Sequence, residues 1–192
     1  MRTCGVIRLQ VIGLALLACS ACAAKRFTCD KPPPFYLRLE ATDSVNRDER
    51  GRSMPTVVQI LQLESESLAD HASFDSLWNK PKETLENQLL QVTEFIIEPG
   101  QTLERWIPRD PKTRFIMAMG LFRQPLNKAW RTRTILPDVR ENQCVEQPAG
   151  ERGPPSALDE QLRFKLQGHQ IDFVSTTPQA NTHPPTQDGR KS

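Results

Sequence analysis

The chain has 192 residues, and 25 Lys and Arg against 23 Asp and Glu give it a formal net charge of +2. This length predicts a single domain. The near-neutral balance, without a basic cluster, argues against a protein that binds nucleic acid or an anionic membrane surface.

The chain begins with a short apolar run behind two basic residues. Arg2 and Arg8 are the only charges before Lys25, and residues 9–18 are mostly apolar. A run of about ten residues is too short to span a bilayer, which takes roughly 20, but it fits the core of a signal peptide. We therefore predict a signal peptide over residues 1–18, whose removal brings the formal charge close to zero.

The signal peptide ends in Leu16-Leu17-Ala18-Cys19. Aliphatic residues, a small residue and then cysteine resemble the bacterial lipobox, in which the cysteine becomes the first residue and carries a diacylglycerol. Cys19 is therefore the predicted lipidation site. Cys22 is the alternative, although it would place Cys19 where the lipobox prefers an aliphatic residue, and an ordinary secretory signal is a third interpretation. Ser20 is typical of lipoproteins exported to the outer membrane.

Four cysteines remain after cleavage: Cys19, Cys22, Cys29 and Cys144. An oxidising periplasm permits a disulfide, and we expect Cys29 with Cys144 because each lies just outside a strand-rich core. If Cys19 is acylated, three thiols remain and one has no partner. No metal site is predicted, because the cysteines do not form two C-x-x-C pairs and no histidine lies near them.

After a Pro-rich spacer that completes residues 19–34, the pattern is that of strands. Phe35 to Ala41 alternates apolar and polar residues, whereas Thr56 to Leu63 is almost continuously apolar, which indicates a strand covered on both faces. Further strands are predicted at Leu90 to Ile97, Leu103 to Ile107, Phe115 to Phe122, Trp130 to Leu136, Leu162 to Leu166 and Ile171 to Val174.

About eight short strands with turn signals between them predict an all-β sandwich or barrel over residues 35–176. Phe115 to Phe122 is the most apolar of them, so we expect it to be central and a carboxylate at Met119 to have no partner. Residues 142–155 form a Gly- and Pro-rich connection. Residues 177–192 are polar and are predicted to be disordered.

One helical insert is predicted between the second and third strands. Phe74, Leu77 and Trp78 precede Pro81, which opens the segment PKETLENQLL. Proline suits a first helical position, and Leu85 and Leu89 would share a helix face at i,i+4. We expect this insert to pack against one end of the sandwich.

Known catalytic patterns are missing from the sequence. It has no G-x-S-x-G, no H-E-x-x-H and no phosphate-binding glycine loop. The three histidines fall in separate polar segments and are interpreted as solvated: His71, His169 and His183. We predict no catalytic residue, no metal and no cofactor.

Two further groups of residues have a structural and a functional interpretation. The acidic cluster of Glu64, Glu66 and Asp70 favours a solvated loop over acid/base chemistry, because nothing indicates a cleft that would shift a pKa. The tryptophans favour core or rim packing over the lining of a ligand pocket. They are Trp78, Trp106 and Trp130.

The most distinctive segment outside the predicted core is Asn46 to Pro55, which reads NRDERGRSMP. It joins the first two predicted strands and carries both signs of charge. A solvated loop and a recognition loop on a rigid sandwich are both consistent with this composition.

The pattern N-x-D-x-x-G-R-S-x-P, placed after a lipobox and a first strand, resembles the TssJ family of outer-membrane lipoproteins of the bacterial type VI secretion system. Further segments fit that family in order: the insert at Phe74 and Leu77, Glu98-Pro99-Gly100, Gly120 to Arg123, Trp130-Arg131 and the closing LRFKLQGHQIDF. The resemblance covers Cys19 to Val174. The connection from Asp138 to Ala157, the polar tail, and Cys22 and Cys29 depart from it.

The resemblance implies a two-sheet β-sandwich of transthyretin-like topology with a helical insert between strands 2 and 3, and no enzymatic activity. It also implies a protein anchored in the outer membrane that faces the periplasm and binds the periplasmic domain of TssM, in a complex that TssL completes. It assigns partner contacts to Asn46, Arg47, Asp48, Arg50, Gly51 and Arg52. The competing hypothesis is a tethered lipoprotein that binds a small ligand or glycan in a deep apolar pocket.

Overall fold

The computed structural model describes residues 29–125, 127–139, 144, 153–156 and 159–174. The predicted signal peptide, Cys19, Cys22 and the tail lie outside these residues, as does most of the connection over 142–155. The elements are β1 (Phe35–Ala41), β2 (Thr56–Leu63), α1 (Ser67–His71), α2 (Phe74–Asn79), α3 (Pro81–Leu85), a 3-10 turn (Glu86–Gln88), β3 (Leu89–Ile97), β4 (Thr102–Ile107), β5 (Phe115–Gly120), β6 (Arg131–Ile135), β7 (Gln161–Gln167) and β8 (Gln170–Val174).

The strands form two four-stranded sheets, with orders β4-β1-β7-β8 and β3-β2-β5-β6. All neighbouring strands are antiparallel except β1 and β7, which are parallel. The two-sheet all-β sandwich, with a helical insert between β2 and β3 in the chain, is therefore confirmed. The eight strands begin and end within two residues of the predicted bounds.

The alternation in β1 directs one side chain inward and the next outward. Phe35, Leu37 and Leu39 are fully buried in the core between the sheets, as expected for a strand with period two. On the outward face, Arg38 donates to Glu104 on β4 at 2.6 Å. β1 is therefore fixed in its sheet by both the core and a cross-strand ion pair.

The second sheet is covered on both faces at its centre. Ile60 of β2 and Ile116 of β5 are buried toward the first sheet, while Leu61 and Met117 are buried on the opposite face. This two-sided burial explains why both strands are almost continuously apolar.

The insert lies over this outward face and not at an end of the sandwich, so that expectation was wrong. Arg131 and Arg133 lie opposite Met119 and Met117 and so share their face. The guanidinium of Arg131 donates to the carbonyl of Ala69 in α1, and that of Arg133 pairs with carboxylates in and beside α1. The register also means that a carboxylate at Met119 would have Arg131 opposite it, contrary to our expectation.

The insert contains three short helices where one was predicted. Pro81 occupies the first turn of α3, as predicted, but α3 ends at Leu85. Glu86 follows with a φ of 50°, a conformation that cannot continue a right-handed helix. Leu89 therefore belongs to β3 and does not share a helix face with Leu85.

A disulfide joins Cys29, before β1, to Cys144, after β6, with their Cα atoms 5.9 Å apart. Cys29 is 9% exposed. The bond fixes the chain where it enters the sandwich, at the end where β1 begins.

Candidate functional site

Four connections meet at one end of the sandwich, here called the loop end. They are the connections between β1 and β2, β3 and β4, β5 and β6, and β7 and β8. The first strand of each pair ends there and the second strand begins there. The chain enters the sandwich at the opposite end, at Phe35. β1 has seven residues, so about 20 Å of strand separates the two ends.

The charged loop of residues 42–55 is held at the loop end by Asn46. Its amide nitrogen donates to the carbonyls of Pro55 at 3.3 Å and Leu121 at 3.4 Å, and its amide oxygen accepts from the backbone N–H of Arg123 at 2.9 Å. Its own N–H donates to Gly168 at 2.6 Å. One side chain thus joins both ends of the loop to the β5–β6 connection.

Asn46 is 3% exposed and has a φ of 49°. Asparagine is among the few residues that adopt this left-handed conformation readily. Its burial leaves no side-chain surface for a partner. Among the six residues to which the resemblance assigns partner contacts, Asn46 is therefore the one whose buried side chain holds the loop in place.

The tip of the loop is closed by the carboxylate of Asp48. Oδ1 accepts from the backbone N–H groups of Arg50 at 2.9 Å and Arg52 at 2.8 Å, and Oδ2 accepts from Nε of Arg52 at 2.8 Å. Hydrogen bonds to the charged form, led by that from the Arg52 backbone, hold the pKa of Asp48 below its usual value. Only 10% of its side chain is exposed.

Gly51 completes this turn with a φ of 78°. No atom lies within 4 Å of the position that a Cβ would take. Glycine is therefore favoured here by the left-handed backbone conformation, and a side chain at this position would not collide with its neighbours.

The surface that the loop presents is charged. Arg47, Glu49, Arg50 and Arg52 are all exposed. Arg47 and Arg50 form no ion pair with the residues that the structure describes, whereas Arg52 is tied to Asp48. Glu49, to which the resemblance assigns no contact, is exposed on the same loop. The β5–β6 connection borders the loop through Asn46, which no local sequence signal indicated.

The competing hypothesis requires a deep apolar pocket. A cleft of about 530 Å³ lies between the insert and β6, and its lining residues are Asp70, His71, Met117, Lys128, Arg131, Thr132 and Arg133. Met117 is the only large apolar residue among them. The cleft therefore lacks the apolar lining typical of a small-molecule site.

The cations of this cleft are already engaged with the insert. Lys128 donates to the carbonyl of Asp70 at 3.1 Å, and Arg131 donates to the same carbonyl at 3.0 Å. Arg133 pairs with Glu66 at 2.8 Å and with the carboxylate of Asp70. Burial lowers the pKa of Arg131. Glu66 and Asp70 of the acidic cluster thus attach α1 to β6, whereas Glu64 is exposed and takes no part in these contacts.

The other candidate groups do not assemble into a site. His169 lies in the β7–β8 turn and His71 lines the cleft, while His183 is outside the described residues. Within the described part of the chain, no three His, Cys, Asp or Glu residues are grouped so that they could hold a metal ion. No helix in that same part is both long enough and apolar enough to cross a membrane.

The three tryptophans pack in two separate places. Trp78 stacks on Phe74, and Trp130 contacts the same ring edge-on with centroids 5.0 Å apart. Trp106 packs against Tyr36 at 5.1 Å. These contacts agree with the packing interpretation.

Comparison with known proteins identifies one family. A family model described as type VI secretion lipoprotein (VasD, EvfM, TssJ) matches residues 34–167 of the chain. A search of the curated proteins found no match.

Solved structures show the same fold. The type VI secretion lipoprotein TssJ1 from Pseudomonas aeruginosa has 21% identity and a TM-score of 0.55, over 76% of this chain and 99% of that one. Serratia marcescens Lip, described as a membrane-bound component of the type VI secretion system, has 23% identity and a TM-score of 0.57, over 77% and 99%. A chain of a type VI membrane complex has 19% identity and a TM-score of 0.59, over 76% and 100%.

Proposed function

The chain belongs to the family of type VI secretion lipoproteins that includes TssJ, and we propose that it anchors the secretion system's trans-envelope complex in the outer membrane. In this role it faces the periplasm and binds the periplasmic domain of TssM, with TssL completing the complex. The observation that carries the proposal is a preformed, charged loop at the end of the sandwich opposite the point where the chain enters.

The geometry suits a tethered adaptor. A lipid on Cys19 would hold the N-terminal side of the chain at the membrane, because several acyl chains anchor a protein stably. The chain enters the sandwich at Phe35, and the loop of residues 42–55 lies one strand length away, at the loop end. An anchored body therefore presents its loop away from the lipid and toward a partner in the periplasm.

The loop also suits recognition, because its shape does not depend on a partner. Asn46 fixes its base and Asp48 its tip. A loop that is already ordered loses little conformational entropy on binding. Its exposed charges give orientation and specificity more than raw affinity.

A structural role agrees with the family to which the chain belongs. The family consists of lipoproteins of a secretion machine. Two residues of the acidic cluster, Glu66 and Asp70, form ion pairs with Arg133, so they have a structural role. We therefore propose an adaptor without enzymatic activity.

The experiment is a charge reversal that leaves Asp48 in place. The full-length lipoprotein, solubilised in detergent, is titrated with the periplasmic domain of TssM from the same organism. Arg47→Glu together with Arg50→Glu is expected to weaken binding at least tenfold, or about 1.4 kcal/mol. The matched control is Lys112→Glu with Arg114→Glu, two exposed cations at the far end, which changes net charge equally and should leave binding unchanged.

Two results would contradict the proposal. If both double variants weaken binding equally, net charge and not the loop controls association. If the wild-type protein does not bind the TssM domain at all, the adaptor role fails and a ligand-binding lipoprotein becomes the better hypothesis.

A further inference from the structure

Three apolar side chains form one row across the second sheet at the loop end. Val57 of β2 lies directly opposite Ile96 of β3. On the other side of Val57, the backbone N–H of Leu121 donates to the Val57 carbonyl at 2.9 Å. The order across the sheet is thus Ile96, Val57, Leu121, here called the apolar row.

The apolar row lies on the face of the second sheet that carries the insert, beyond the part of that face where Leu61 and Met119 are buried. In the row, Ile96 is 61% exposed, Leu121 is 39% exposed and Val57 is half-buried. Large apolar side chains left in water next to a charged rim are typical of an interaction surface.

The charges around the row differ in sign from one end to the other. Exposed Glu94 and Glu98 lie two residues on either side of Ile96. At the other end, Arg123 is exposed two residues after Leu121, and its backbone N–H binds Asn46, the residue directly before exposed Arg47. The row thus has an acidic end at Ile96 and a basic end at Leu121.

We propose that the apolar row and the charged loop form one continuous docking surface, and that a segment of the partner's periplasmic domain covers the row. The segment carries an apolar side chain over the row, a basic residue facing Glu98 and an acidic residue facing Arg123. This inference rests on the proposed function, since the occupant is the same partner that binds the loop.

The physical reason is that the loop and the apolar row contribute differently to binding. A mixed-charge loop alone supplies orientation but little affinity, because its ions remain solvated. Interfaces gain most of their affinity from a few buried apolar or aromatic contacts surrounded by a polar rim. The apolar row supplies such a centre beside the loop, and its two charged ends fix the direction in which the segment lies.

The first test removes apolar surface. The full-length lipoprotein in detergent is titrated with the periplasmic domain of TssM. Leu121→Ser and Ile96→Thr are each expected to weaken binding about tenfold. The matched control is Ile135→Thr on β6, which removes a side chain that is 69% exposed at the opposite end of the sandwich and should leave affinity unchanged.

The second test reverses the charged ends. Arg123→Glu and Glu98→Lys should each lower the association rate severalfold, and the effect should shrink at high salt because exposed charges are screened. A thermal melt of each variant checks that the fold is intact. We expect wild-type melting temperatures, because all four substituted positions are exposed.

The outcomes separate this inference from the proposed function. If reversing Arg47 and Arg50 weakens binding but the variants at Ile96, Leu121, Glu98 and Arg123 bind like wild type, the extended surface is overturned and the adaptor role stands. If the row variants weaken binding and the loop variants do not, the continuous surface is overturned, because the loop is then not part of the contact. Absence of wild-type binding overturns both.

Discussion

Asp48 and Arg52 are joined through both backbone and side chain. Oδ1 of Asp48 accepts the backbone N–H of Arg52, and Oδ2 accepts its guanidinium Nε, each at 2.8 Å. The N–H of Asp48 donates back to the Arg52 carbonyl at 2.8 Å. These three hydrogen bonds close the tip of the loop in the absence of a binding partner. The ionised carboxylate of Asp48 therefore stabilises the folded loop.

This pair predicts a pH dependence. The pKa of Asp48 is lower in the folded chain than the usual 3.8, so its contribution to stability is fully present above the unfolded pKa and is lost as pH falls through the folded pKa. Wild type should therefore melt at a higher temperature than Asp48→Asn at neutral pH, and the difference should disappear in acid. Melting curves between neutral and strongly acidic pH measure it. A difference that is constant across that range would show that the charge of Asp48 contributes nothing.

Asn46→Ala should lower the free energy of unfolding by about 2 kcal/mol, because it leaves buried hydrogen-bonding groups without partners. Asn46→Gly loses the same amide but accepts the φ of 49°, so it should be less destabilising than Ala by about 1 kcal/mol. Asn127→Ala is the control, since Asn127 has a φ of 50° but is exposed. Denaturant unfolding gives the values. Equal effects at positions 46 and 127 would mean that the buried amide does not hold the loop.

Carboxylates on the two faces of β5 should have unequal effects. Ile116 is fully buried and lies opposite Gln62 and Thr134, so Ile116→Asp buries an unpaired charge and should lower the free energy of unfolding by about 4 kcal/mol or more. Met119→Asp should be less destabilising because Arg131 lies across the strand pair. Denaturant unfolding of both variants measures the difference. The reverse order would show that Arg131 cannot leave its contacts with α1.

Lipidation is predicted at Cys19. Cys19→Ser should abolish incorporation of radiolabelled palmitate, because the lipobox thiol is then missing, and Cys22→Ser should leave it unchanged. The label is measured on protein recovered from the membrane fraction. Label that persists in Cys19→Ser and vanishes in Cys22→Ser would move the processing site to Cys22.

Periodicity in the sequence was enough to place the strands. The alternation from Phe35 to Ala41 and the apolar run from Thr56 to Leu63 predicted β1 and β2 with the bounds that the structure has. The reason is that strand formation and two-sided burial leave a pattern in consecutive residues. The insert was predicted less well, because short helices that are stabilised by packing on a sheet carry only a weak periodic signal.

The candidate site was predictable in part. The charges of residues 47–52 predicted an exposed loop, and the motif in this loop indicated the family to which the chain belongs. The sequence did not separate Asn46, which is buried, from Arg47 beside it, which is exposed. Burial of Asn46 depends on Leu121 and Arg123, which are 75 and 77 residues away in the chain.

The sequence by itself therefore determined the strands, the exposed charges and the family. The tertiary structure alone decided which side chains meet: Asn46 with the β5–β6 connection, Arg131 with α1, and Ile96 with Val57 and Leu121 in one row. The physical reason is that strand formation follows from neighbours in the chain, whereas register between strands is set by how the two sheets and the insert bury their apolar faces together.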